Sequence, residues 1–100
     1  MRLMVEFKNR VSVYDLEKVK AFSVEYGKEL PILKLYFDDE IDVPKEIVLP
    51  EMKKDEVKKF VNFLASHKNE DRVHTLTAIL KRIGVKIEGY EAEDVEVWED

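Results

Sequence analysis

His67, Glu70, Asp71 and His74 form the one local cluster of transition-metal ligand types in this 100-residue chain. A zinc site needs three or four ligands converging at set spacing, and the helix boundary expected between the two histidines gives these four no reason to converge. The expectation is therefore that both histidines lie beside apolar helix stripes. Glu70 and Asp71 then complement the positive end of a helix dipole, and no metal or other cofactor is expected.

A second acidic run, Asp38, Asp39, Glu40 and Asp42, offers the hard oxygen ligands that Ca²⁺ and Mg²⁺ take. It lacks the glycine of a sharp calcium-loop turn and the closing glutamate, so it reads as a solvated hairpin tip. Glu6-Phe7-Lys8 matches the E-x-K of some metal-dependent nucleases, but in a chain this rich in Glu and Lys such a triplet is expected by chance. Gly27, Gly84 and Gly89 are the only glycines, which excludes the phosphate-cradling and dinucleotide loops.

Covalent catalysis would have to draw on Ser12, Ser23, Ser66, Thr75 and Thr77 with His67 or His74 as base. None sits in a nucleophile elbow, and the neighbours Ser66 and His67 diverge by about 100° on a helix. With no cysteine there is no thiolate nucleophile, disulfide framework or thiolate zinc site. The inventory points away from an enzyme.

Charge is unevenly placed. The net charge is −5, but residues 53–86 carry 9 Lys/Arg against 4 Asp/Glu, and residues 87–100 carry no Lys/Arg against 7 Asp/Glu. Lys53, Lys54, Lys58 and Lys59, with Lys68, Arg72, Lys81, Arg82 and Lys86, could neutralise phosphates, as two helices joined by a short turn do in DNA-binding proteins. Against that stand an overall pI of about 5.1 and an acidic Glu70-Asp71 where a recognition helix would enter the groove. Phe63 and Trp98 fall outside the expected core faces and are read as interface residues, together with Lys54, Lys58 and Arg82.

The elements that must position these residues follow from periodicity. Residues 2–8 alternate as a half-buried strand with Leu3, Val5 and Phe7 inside. Asn9-Arg10 turns the chain into a strand over 11–14, whose Val11 and Val13 are expected to continue the apolar face. Residues 18–26 fit a strand better than a helix, on their β-branched and aromatic content. As a helix they would give βαββαβ, a ferredoxin-like order. Residues 32–37 are a strand, followed by a partner over 41–43 and 46–49 that Pro44 interrupts, as at an edge or a bulge.

Pro50 suits a helix start. A first helix over about 53–67 lines up Val57, Phe60, Val61, Leu64 and Ala65. Asn69 is placed to end it in the left-handed region and to cap a second helix over about 70–83, with Val73, Leu76, Ile79, Leu80 and Ile83 on its stripe and Gly84 as its stop. Residues 85–88 and 95–99 read as closing strands.

With 45% hydrophobic residues the chain supports a single domain over residues 1–100, burying roughly two-thirds of the surface the unfolded chain exposes. The expected class is α+β: a mostly antiparallel sheet with an N-terminal meander, packed by two consecutive helices and closed by C-terminal strands. No apolar run approaches the ~20 residues needed to span a bilayer, and a soluble, cytoplasmic protein with no membrane partner is expected. Charged residues at 39%, with Gln absent, suggest a hyperthermophilic source. The functional expectation is a non-enzymatic interaction or assembly module that joins a protein partner or forms a homodimer. The alternative is a nucleic-acid-binding or regulatory protein using the Lys-rich helical pair.

Overall fold

Strand β1 (Arg2–Glu6) buries Leu3 and Val5 and turns Arg2, Met4 and Glu6 outward. It has a neighbour on each side. The structure, a computed structural model, describes residues 1–26 and 28–94, and of residues 40–42 the backbone alone. Its class is α+β, with seven strands and two helices among the described residues.

β1 and β2 (Val11–Asp15) form the expected hairpin, closed by Phe7 N–H donating to the Arg10 carbonyl at 2.8 Å. The register pairs Val5 with Ser12 and Leu3 with Tyr14. Opposed residues share a face, so Val11 and Val13 join Glu6 and Met4 on the outer side. This corrects the expected apolar face of β2: the four-residue connection sets the register one residue away from the apolar alternation, and a one-residue change reverses every side chain.

A 3-10 turn, Leu16–Lys18, with Asp15 accepting from Glu17 N–H, carries the chain into β3 (Val19–Tyr26). Residues 19–26 are thus strand, and the ferredoxin-like alternative does not apply. β3 pairs antiparallel with β4 (Pro31–Phe37), and β4 with β5 (Glu40–Val48). Pro44 sits in the irregular stretch of β5 where the register shifts between Leu35 and Phe37, the place a strand can tolerate a missing N–H.

Helix α1 (Lys54–His67) begins four residues after Pro50, which lies in the buried connection rather than in the first turn. Glu56 Oε1 accepts from the Lys53 N–H at 2.8 Å and caps the helix. α1 buries Val57, Phe60 and Leu64, half-buries Val61 and Phe63, and leaves Ala65 exposed. Its core stripe is therefore rotated toward Phe63.

The second helix is shorter than expected. Residues 70–75 are not helical: Val73–Thr75 form β6, parallel to β1, and α2 spans Leu76–Arg82. β1 would otherwise leave one edge of N–H and C=O groups unpaired in the interior, and the β-branched Val73 and Thr75 suit a strand. Arg2 N–H donates to the Arg72 carbonyl at 2.8 Å, and the Arg2 guanidinium meets Asp71 at 3.2 Å. Asn69 is not left-handed, since no non-glycine residue described has positive φ.

Gly84, at φ +92°, ends α2 as expected. Its N–H reaches the Lys81 carbonyl while Val85 N–H reaches that of Leu80, a Schellman cap. Val85 is buried, but residues 85–88 form no strand, a further correction; the cap and a Tyr90 N–H to Ile87 carbonyl turn use their backbone groups instead. β7 (Glu93–Asp94) adds to β5, and the closing strand expected over 95–99 lies outside the described residues.

The expected single sheet is thus two: a mixed three-stranded sheet in the order β2-β1-β6 and an antiparallel one in the order β3-β4-β5-β7. Leu3 and Val5, Leu33 and Leu35, Ile47, Phe60, Leu64, Leu76 and Leu80 meet in one buried cluster between the sheets and helices. Among the described residues no helix is long and apolar enough to cross a membrane.

Candidate functional site

His67, the last residue of α1, and His74, the middle residue of β6, come from different elements and converge across the turn that carries Glu70. Glu70 N–H donates to the His67 carbonyl at 3.0 Å, which folds the chain back over the end of α1. The β1–β6 register sets His74 opposite Leu3, on the inner face of the sheet. A ring nitrogen of each histidine and a carboxylate oxygen of Glu70 all lie within 4.8 Å of one another.

The Glu70 carboxylate spans the two rings. His67 Nδ1–H donates to Glu70 Oε1, and Oε2 stands 4.0 Å from His74 Nε2, beyond hydrogen-bond reach. His74 Nε2 is buried without a hydrogen-bond partner, and the side chain is only 12% exposed. The hydrogen bond from His67 holds the Glu70 carboxyl below its ordinary pKa. Burial pushes the His74 imidazole below its usual value, Arg72 adds to the effect, and the Glu70 carboxylate opposes it.

Phe63 forms the wall of this cluster. Its ring centroid lies 4.1 Å from that of His67 and 5.3 Å from that of His74, edge-on to the latter. Arg82, at the end of α2, places its guanidinium 5.8 Å from the Phe63 ring, within cation–π range. Phe63 and Arg82, two of the residues read as interface positions, are therefore brought together. Lys54 and Lys58 are exposed on α1, and Trp98 lies outside the described residues.

Glu70 and Asp71 do not serve a helix dipole, because α2 starts only at Leu76. Asp71 turns instead to Arg2. Of the four residues grouped by type, the fold brings three together. The signal in the sequence was the spacing itself, His-x₂-Glu-x₃-His.

A second feature was not legible from periodicity. The outer face of the three-stranded sheet carries Val11 at 59%, Val13 at 53% and Val73 at 48% exposure around the half-buried Met4. Elsewhere, a groove of about 790 Å³ lies between the start of α1 and the 84–93 segment, its lining including Glu51, Glu56, Glu88 and Glu91 as well as Lys53 and Lys86. On the outer side of the other sheet, Lys34 bridges Glu25 at 3.2 Å and Glu46 at 3.3 Å.

No family model, curated protein or solved structure matches the chain.

Proposed function

We propose that this chain is a non-enzymatic interaction module that pairs with a second copy of itself through the outer face of the β2-β1-β6 sheet. The observation that carries the reading is the triplet Val11, Val13 and Val73, three β-branched apolar side chains about half-exposed or more on one face around Met4. Scattered apolar residues on a surface need no explanation, but a contiguous group on an uncovered sheet face is what association buries.

The charges on that face suit a copy of the same chain. Arg2 and Glu6 flank Met4 at the two ends of β1, both directed outward. A two-fold axis lying in the interface and perpendicular to β1 runs the two central strands antiparallel, so that Arg2 of each copy faces Glu6 of the other. The apolar centre and oppositely charged ends are self-complementary under that operation.

Sedimentation equilibrium between about 1 and 200 µM, a range bracketing ordinary specific association, tests the reading. A reversible dimer is expected, and the Val11→Lys/Val13→Lys variant should sediment as a monomer with an unchanged far-UV circular dichroism spectrum. A wild-type monomer throughout the range overturns it. The nucleic-acid alternative keeps the exposed Lys54, Lys58 and Lys59 but loses its second reading helix, since α2 is seven residues long and preceded by a strand. A gel shift that weakens steeply with added salt would favour that alternative. The reading of the composition as hyperthermophilic carries its own check, a Tm above about 65 °C.

A further inference from the structure

His67, Glu70 and His74 have a geometry that the assembly reading does not use. The carboxylate explains one of the two histidines, because His67 donates to it. It leaves the other unexplained: His74 Nε2 is buried on the inner face, 4.0 Å from Glu70 Oε2 and without a hydrogen-bond partner. Buried polar atoms are almost always satisfied, so an orphaned imidazole nitrogen beside a carboxylate is a ligand position awaiting a ligand.

We propose that His67, Glu70 and His74 bind one late first-row divalent cation of the zinc class, leaving a fourth coordination position open to water. Two imidazoles and one carboxylate are the donor set such ions take, and three protein ligands with one open position is the arrangement of exchangeable rather than structural sites. Bonds of about 2.0–2.1 Å at tetrahedral angles put ligand atoms about 3.3 Å apart. The present separations all lie within 4.8 Å, near that value, although the His67–Glu70 contact would have to open to admit an ion between the two groups.

The surroundings fit the role. His67 and Glu70 are about one-third exposed, at 29% and 34%, which gives the ion a path from solvent that His74 alone does not offer. Phe63 packs against both rings. Asp71, nearest in sequence, is engaged by Arg2 and nearly fully exposed, so it is not a ligand. The positive charges of Arg72, close in sequence, and of Arg82, beside the Phe63 ring, moderate affinity for a cation. The expected Kd for Zn²⁺ is accordingly on the order of 10 µM or tighter, well short of four-ligand structural sites.

The test uses the full chain, stripped with a chelator and titrated with Zn²⁺ by calorimetry and with Co²⁺ by visible absorption and proton NMR. One ion per chain is expected, with tetrahedral Co²⁺ absorption and the largest paramagnetic shifts on the His67 and His74 ring protons and the Glu70 side-chain protons. His74→Ala and Glu70→Gln should each weaken Zn²⁺ binding at least about 10-fold, and His67→Ala/His74→Ala should abolish it. Asp38→Asn, at the distant β4–β5 turn, should leave it within two-fold, about the scatter expected of an unrelated site. If His74→Ala does not fold, Glu70→Gln with the Co²⁺ NMR of the unaltered chain decides the matter. No saturable binding below about 1 mM, the weakest affinity a specific site would show, overturns the proposal, and so does binding that the double histidine variant retains. Because none of the three residues lies on the outer face of the β2-β1-β6 sheet, loss of metal binding and loss of dimerisation are separable results.

Discussion

The Tyr90 hydroxyl donates to the Val48 carbonyl oxygen at 2.6 Å, tying the segment after α2 to β5 just where β7 joins it. Burial raises the Tyr90 pKa above its ordinary value, because the phenolate would lose water and gain no cation. The consequence for stability has a definite sign. The folded pKa exceeds the unfolded one, so the contribution is fully present below about pH 10 and is lost as pH rises from there toward the folded value. Denaturant unfolding at pH 8 and pH 11 should show a drop in stability that is smaller in Tyr90→Phe. At pH 8 that variant should itself cost about 1 kcal/mol, since it leaves the Val48 carbonyl without its donor.

Gly84→Ala should destabilise through the backbone alone. A Cβ built at Gly84 meets nothing within 4 Å, so no steric contact contributes, but its φ of +92° is one that L side chains rarely adopt. The expected loss is about 1–2 kcal/mol, read from chemical denaturation, and Gly84→Asn should recover part of it because Asn tolerates positive φ. Equal losses for Ala and Asn would mean that the Schellman cap is not what holds α2.

Phe60 and Ala65 occupy the same stripe by periodicity and opposite environments in the fold. Phe60 is fully buried and Ala65 exposed. Phe60→Ala should cost about 3–5 kcal/mol, enough to unfold a marginal domain, and Phe60→Leu much less. Ala65→Lys should stay within about 0.5 kcal/mol. A large effect at Ala65 would restore the unrotated stripe.

Residue types and periodicity made the strands expected over 18–26 and 32–37 legible, as well as α1 and the stop at Gly84. Each is decided by local chemistry: β-branched content, a run of alternating residues, a 3.6-residue stripe, a positive φ. What it did not reveal depends on partners distant in sequence. Val11 and Val13 alternate perfectly, but which face they take is set by the turn at residues 7–10 and by pairing to β1. Val73 continues the Leu76–Leu80 stripe on a helical wheel, yet the free edge of β1 claims it for a strand. That same competition shapes the candidate site: a helix beginning at Glu70 would also keep Glu70 and His74 on one face, at i and i+4, but in β6 it is the pairing to β1 that sets His74 on the inner face, opposite Leu3.

Val73→Thr tests that competition directly. On a helix spanning residues 70–83, Val73 belongs to the buried stripe, and exchanging a methyl for a hydroxyl there would bury an unpartnered polar group at a cost of about 1–3 kcal/mol. In β6, Val73 is exposed on the outer face and threonine keeps the β-branched shape a strand favours, so the change should stay within about 0.5 kcal/mol. Leu76→Ala is the counterpart: Leu76 is buried at the first position of α2 and should cost about 2–5 kcal/mol. Both are measured by urea unfolding at concentrations below self-association, so that any loss of dimer contacts at Val73 does not enter. Near-neutrality at Val73 beside a large loss at Leu76 is the result expected of a strand that ends where the helix begins; a comparable loss at both would return residues 70–75 to the helix and remove the β1 pairing that places His74 on the inner face.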